Sequence, residues 1–250
     1  MLASGACTNS LLMYTITMPV CYLSACMRFF EISNTLFTLW GYSVSYLEFF
    51  GLISGLIAVG LSAVANVWSW PIGIVNVVLS FFLFYQVQLY PDMFLQIFFF
   101  ATNLLGWWRW LHPRPGEDDR KNELRVSFLD KTGIAVMIFI GITGTLLTGY
   151  FARNLHDFAP RFFNEPSAYP FFDSFIMVMS IVTTFYMIQK KIECWVIWIL
   201  VDIVATFLYF KRDLVLYSLL YLIYCFIASY GLMHWIREYK SYGNVSAGNP

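Results

Sequence analysis

In a chain of 250 residues, a content of 59% hydrophobic and only 12% charged side chains excludes a water-soluble globule, in which roughly a quarter of the residues carry charge. The 15 basic residues balance the 15 acidic ones, so no net field points to nucleic acid or to an acidic partner. What remains is a polytopic, all-α membrane protein embedded in the lipid bilayer.

Residues 1–43 read as an N-terminal extension. Its opening, MLASGACTNS, lacks the positive stretch and small-residue cleavage pattern of a secretory signal, so no leader is expected to be removed. The apolar run Leu11–Phe30 contains Pro19, two threonines and a terminal Arg28. It suits either an eighth span or a helix lying in the interface. Cys7, Cys21, Cys26, Cys194 and Cys225 show neither a disulfide framework nor CxxC ligand spacing. They are expected to be small apolar packers, with no metal.

A bilayer span needs about 20 apolar residues. Between Phe49 and Trp108 the sole charged residue is Asp92, and turn residues near Asn66–Trp70 and Gln88–Asp92 divide the stretch. Spans over 46–65, 69–87 and 92–111 follow, forming a first three-helix repeat within 44–111. The segment His112–Lys131 contains HPRPGEDDRKNELR and reads as an aqueous loop with room for a short helix. Thr132–Ala152 carries no charge, and Gly133, Gly141, Gly144 and Gly149 permit close helix approach. Loop and linker helix together occupy 112–152. Three more spans, 171–188, 194–210 and 214–236, are separated by Lys190-Lys191 and Lys211-Arg212-Asp213. They form a second repeat within 153–238, and a tail runs over 239–250.

Landmarks recur in order between the triplets. Glu48 and Phe50 correspond to Asp173 and Phe175, Asn76 to Asp202, and Ser80-Phe81 to Thr206-Phe207. Gly106 and Trp110 correspond to Gly231 and Trp235. A single linker helix gives both triplets the same orientation, a parallel-repeat, 3+1+3, seven-helix core. Ten basic residues then share the side of the long loop and the C-terminus, against four on the other side, with Arg28 undecided. The positive-inside rule predicts a cytoplasmic loop and C-terminus.

An ionisable residue inside a span is costly enough to mark function by default. Asp202 is that residue, and Trp195 and Trp198 share its helical face. This stripe offers a carboxylate beside two flat aromatic surfaces, against the plainer reading of packed tryptophans and an interhelical bond. On the third span Gln96, Asn103 and Trp107 share a face; the amides suit a ligand or helix-to-helix hydrogen bonds equally well. Gly73, Asn76 and Ser80 form a small polar stripe on the second span. Tyr217, Tyr221 and Tyr224 form an aromatic one on the seventh, where Tyr224 reads as a packer.

HExxH, P-loop and G-x-S-x-G patterns are missing, and His112, His156 and His234 lie at or beyond span ends. No catalytic residue and no cofactor are expected. A transporter of small molecules is predicted, rather than an enzyme.

The stretch NVWSWPIGIVNVVLSFFLFYQVQLYPDMFLQIFFFATNLLGWWRW resembles the first triplet of the PnuC family of bacterial vitamin transporters, and ECWVIWILVDIVATFLYFKRDLVLYSLLYLIYCFIASYGLMHW resembles its second. The resemblance covers roughly residues 44–238, with Trp195, Trp198 and Asp202 its most specific part. It implies a fold similar to that of SWEET sugar transporters, an inner-membrane location, a homotrimer and facilitated diffusion of nicotinamide riboside with trapping by a cytoplasmic kinase. Thiamin and riboflavin are transported by related members. The residues fit a flat cation bearing an amide and hydroxyls: Trp195 and Trp198 for stacking, Asp202 for charge or ribose, Asn76, Gln96 and Asn103 for hydrogen bonds, and Tyr217 and Tyr221 as further wall. A sugar carrier of the same fold is one rival reading, and a membrane receptor or enzyme scaffold without transport is another.

Overall fold

A computed structural model of the chain describes residues 31–39, 42–86, 90–119, 121–154, 157, 168–212 and 215–246. The expected Leu11–Phe30 helix, with Cys7, Cys21 and Cys26, lies outside the described residues. Among the described residues seven helices follow a short hairpin: α1 Tyr46–Ala63, α2 Ser69–Gln86, α3 Tyr90–Leu111, α4 Lys131–Arg153, α5 Pro170–Ile188, α6 Glu193–Lys211 and α7 Val215–Ser246. Six of them are long and apolar enough to cross a membrane. The exception, α3, is 22 residues long, but Gln96, Asn103, Trp107, Trp108 and Trp110 make it less apolar.

Two differences from the sequence reading stand out. The all-helical expectation takes in a small antiparallel hairpin, β1 Thr35–Leu39 with β2 Tyr42–Ser45. Its threonines, Tyr42 and Val44 favour the pleat, a signal too short to compete with the hydropathy of the spans. The loop after α3 contains no helix among its described residues. It runs instead as extended chain, bridging Asp118 to Leu124 and Ser127 to Lys191, with Leu124 and Val126 buried. Helix α7 also outruns its apolar stretch, which ends near Ile236. Side-chain contacts one turn apart continue it, His234 to Glu238 at 4.0 Å and the Tyr242 hydroxyl to Glu238 at 3.1 Å.

The chain divides into two compact units, Met1–Gly55 with Val75–Phe100, and Leu56–Ile74 with Ala101–Pro250. In the first unit Ser45 and Glu48 form a capping box at the start of α1. The Ser45 hydroxyl accepts from the Glu48 N–H at 3.2 Å, and the Glu48 carboxylate accepts from the Ser45 N–H at 2.8 Å. Phe37 packs edge-on to Phe49 at 5.9 Å, holding the hairpin to the helix.

In the second unit α4 packs on α5, α5 on α6 and α6 on α7. Gly141 lies under Met179, Gly144 under Val178 and Gly149 under Phe171, so the glycines of α4 form the surface that receives α5. A core of tryptophans gathers where the helix ends meet, with Trp70, Trp110, Trp195 and Trp235 in one cluster.

The α1–α2 corner and the α5–α6 corner repeat each other bond for bond. Ala65 donates to the Ser62 carbonyl and Lys190 to that of Met187, each at 3.0 Å; Asn66 donates to Leu61 and Lys191 to Tyr186, again at 3.0 Å. Ala65 and Lys190 both adopt left-handed backbone, with φ of 54° and 50°, which lets each helix turn back within a few residues. Next come Trp70 and Trp195. Trp70 lies against Gly106 and edge-on to Trp110; Trp195 lies against Gly231 and edge-on to Trp235.

Candidate functional site

Helix α6 carries the stripe expected from the sequence. Asp202 is 3% exposed, and no hydrogen bond from another described residue reaches its carboxylate. Its main-chain carbonyl accepts from the Thr206 hydroxyl at 2.7 Å, and the Thr206 carbonyl accepts from Ser218 of α7 at 3.0 Å. These bonds dock α7 along the Asp202 face. Tyr221, Tyr224 and Cys225 of α7 then lie within electrostatic range of the carboxylate.

The tryptophans of this stripe differ in setting. Trp195 is 1% exposed, and its indole N–H has no hydrogen-bond partner among the described residues. With Gly231 against its ring and Trp235 at its edge, it offers almost no accessible surface in this conformation. Trp198 is only partly buried and packs at the margin of the core. Trp198 is therefore the aromatic face nearest to availability.

Tyr221 stacks on Tyr209 at 5.2 Å with an interplanar angle of 17°, and Tyr217, 56% exposed, tilts against the other side of the ladder at 5.7 Å from Tyr209. Tyr224 meets Tyr221 edge-on at 6.1 Å. Tyr209 was not singled out from the sequence. Its signal was available: it lies seven residues after Asp202, two turns along the same face.

Of the amides, Asn103 in the second unit lies directly over Gly73, whose missing side chain makes the room; a methyl there would overlap the amide. In the first unit the Asn76 side chain donates to the Gly51 carbonyl at 2.7 Å, a bond between α2 and α1. Gln96 is buried in that unit, 8% exposed. No cluster of metal-ligating side chains occurs among the described residues.

A second side-chain cluster lies at the far end of α3. Arg109 pairs with Glu117, and the arginine holds the Glu117 carboxyl below the usual carboxylate range. Nearby, Lys190 is 1% exposed with Nζ 3.7 Å from Glu123 and 4.3 Å from the centre of the Trp110 ring. The Ser127 N–H donates to the Lys190 carbonyl, the Ile192 N–H to that of Ser127, and the Leu129 N–H to the Glu193 carboxylate, each at 3.0 Å. These bonds fasten the loop after α3 onto the α5–α6 corner.

Apolar helices of bilayer length that bury a carboxylate unpaired among the described residues, beside aromatic rings, define a class, the multi-pass membrane transporters of small molecules. The comparisons narrow it. The chain belongs to the nicotinamide mononucleotide transporter family, whose sequence pattern matches residues 45–237. It is 30% identical over 237 residues to the nicotinamide riboside transporter PnuC of Escherichia coli (strain K12), covering 87% of this chain and 98% of that protein. Against the riboflavin/roseoflavin transporter RibM of Streptomyces davaonensis the identity is 24%, over 88% of this chain and 98% of the other. The crystal structure of the vitamin B3 transporter PnuC aligns with a TM-score of 0.58 and 22% identity, covering 78% of this chain and 83% of that one.

Proposed function

We propose that this protein carries nicotinamide riboside across the bacterial inner membrane by facilitated diffusion, with phosphorylation by a cytoplasmic kinase trapping what enters. The observation that carries the reading is the Asp202 carboxylate, buried without a hydrogen-bond donor among the described residues in the stripe that holds Trp198. An unpaired buried carboxylate is costly, and a flat pyridinium supplies both the missing counter-charge and a partner for an aromatic face. The similarity to the Escherichia coli nicotinamide riboside transporter supports the same substrate.

In this reading Trp198 is the stacking wall, Asp202 meets the ligand charge or ribose, and Trp195 contributes from the packed layer behind. Tyr217 and Tyr221 extend the wall, while Asn103, Asn76 and Gln96 are the amides to test for hydrogen bonds to the ligand. The matched corners support two parallel triplets about a linker helix, the 3+1+3 SWEET-like plan. The distribution of basic residues supports a cytoplasmic C-terminus. Trimeric assembly is part of the same proposal.

Calorimetric titration of the purified protein with nicotinamide riboside, with riboflavin, thiamin and glucose as competitors, tests the substrate. Trp198→Ala should weaken binding at least roughly thirtyfold while the protein stays monodisperse, since a desolvated cation–π contact is worth about 2 kcal/mol. An unchanged dissociation constant removes Trp198 from the site, and tighter binding of riboflavin reassigns the substrate. In liposomes, collapse of proton and sodium gradients should leave initial uptake unchanged.

A further inference from the structure

At the end of α3 a pocket of about 320 Å³ is walled by Arg109, Arg114, Glu117, Arg125, Ser127 and Lys191. Four cations face one acid. Glu117 is engaged by Arg109 and also accepts the Arg114 main-chain N–H at 3.2 Å, so this pair is neutral. Lys191 Nζ donates to the Ser127 hydroxyl at 2.9 Å and to the Phe128 carbonyl at 3.4 Å, neither of which carries charge. The Arg114 guanidinium acts on the Glu117 carboxylate only at longer range, and that of Arg125 makes no hydrogen bond or ion pair with another described residue. Four cations and one carboxylate therefore converge on one polar cavity, leaving three positive charges in excess.

The convergence is built by the main chain. Arg125 N–H donates to the Glu117 carbonyl at 2.8 Å, Leu124 N–H to that of Trp110 at 2.9 Å, and Ser127 is fixed between Lys190 and Ile192. Basic residues scattered on a membrane rim are ordinary and need only water. Here the loop is stapled so that the cations wall a cavity, and like charges held together in this way repel unless an anion joins them. Guanidinium forks match the oxygen geometry of phosphate. The depth also fits: Trp108 is 58% exposed and stacks on His112 at 5.3 Å, a setting usual for the headgroup region.

We propose that this pocket binds a phosphate group, presented either by a phospholipid headgroup or by a soluble phosphate ester. Titration of the purified full-length protein in neutral detergent at constant ionic strength tests it, with inorganic phosphate in one arm and dioctanoyl phosphatidylglycerol in mixed micelles in the other. Saturable binding is expected in at least one arm, weakened about tenfold or more by Arg114→Gln with Arg125→Gln, as loss of charge-assisted hydrogen bonds requires. Binding in the phosphate arm assigns a soluble source, and binding confined to the lipid arm assigns a headgroup. Both arginines are exposed, so the ligand-free melting temperature should not change; the single substitutions serve if the double variant does not fold. Absence of saturable binding in both arms, or binding that the variants retain, would overturn the proposal.

Discussion

The indole N–H of Trp235 donates to the carbonyl oxygen of Ser62 at 3.0 Å, tying α7 to the end of α1. Its counterpart, Trp110, donates to the Met187 carbonyl at 3.2 Å and ties α3 to α5. The two bonds cross between the corners, α7 closing on the end of α1 and α3 on the end of α5, which makes the corners mutually dependent. Replacing either tryptophan by phenylalanine removes one of the two hydrogen bonds that each carbonyl accepts, the other coming from the Ala65 or Lys190 N–H, and should cost about 0.5–1.5 kcal/mol. Comparable drops in melting temperature for Trp110→Phe and Trp235→Phe are expected in detergent. No drop in either would show that the bonds contribute nothing.

Gly231 is needed for contact rather than for backbone freedom. An added Cβ would stand 2.9 Å from Trp195 Cδ2, inside van der Waals distance of a large ring that cannot yield cheaply. Gly231→Ala should destabilise the protein by about 1–3 kcal/mol. Gly60→Ala is the control, because nothing lies within 4 Å of a Cβ there. It should be neutral, or stabilising by up to about 1 kcal/mol through helix propensity. Denaturant unfolding of the two variants side by side distinguishes packing from propensity.

Asp202 makes stability and function oppose each other. Asp202→Asn removes a buried charge without removing volume, so the ligand-free protein should become more stable by about 1 kcal/mol or more. Binding of nicotinamide riboside should weaken about tenfold or more with loss of the charged partner. Melting temperature and calorimetric titration check the two halves independently. A variant that is destabilised yet binds normally would make Asp202 a structural residue.

Lys190 predicts a dependence on pH. Burial pushes its ammonium below the usual lysine value, against the opposing pull of Glu123, Glu238 and Asp119. Below the folded pKa both states hold the proton and the desolvation penalty is fully present. As pH rises through that value toward the unfolded one, near about 10.4, the folded chain sheds its proton first and gains stability. The difference in melting temperature between wild type and Lys190→Met should therefore move in favour of wild type as pH enters the alkaline range. A constant difference would mean that Lys190 titrates normally.

The spans were legible in the sequence, and α1, α2, α4, α5 and α6 begin and end within a few residues of the expected bounds. Their limits follow from local properties, apolar run length and turn residues such as Asn66 and Pro71, which the neighbouring chain already displays. The Trp195, Trp198 and Asp202 stripe was legible for the same reason, since helical periodicity assigns a face without reference to any partner. The hairpin was missed because nine short β-favouring positions give a far weaker local signal than a span.

Only the tertiary structure decided which of these residues are enclosed and by what. Trp195 became a corner residue under Gly231 while Trp198 stayed at the margin. Lys190, polar and outside a span, is buried over Trp110, and the charged loop after α3 is fastened to a corner more than sixty positions away instead of lying free in water. The same fastening turned separate arginines into one pocket. Local sequence sets propensity and periodicity, but burial, pairing and charge compensation depend on neighbours in space, and those exist only once the chain has folded.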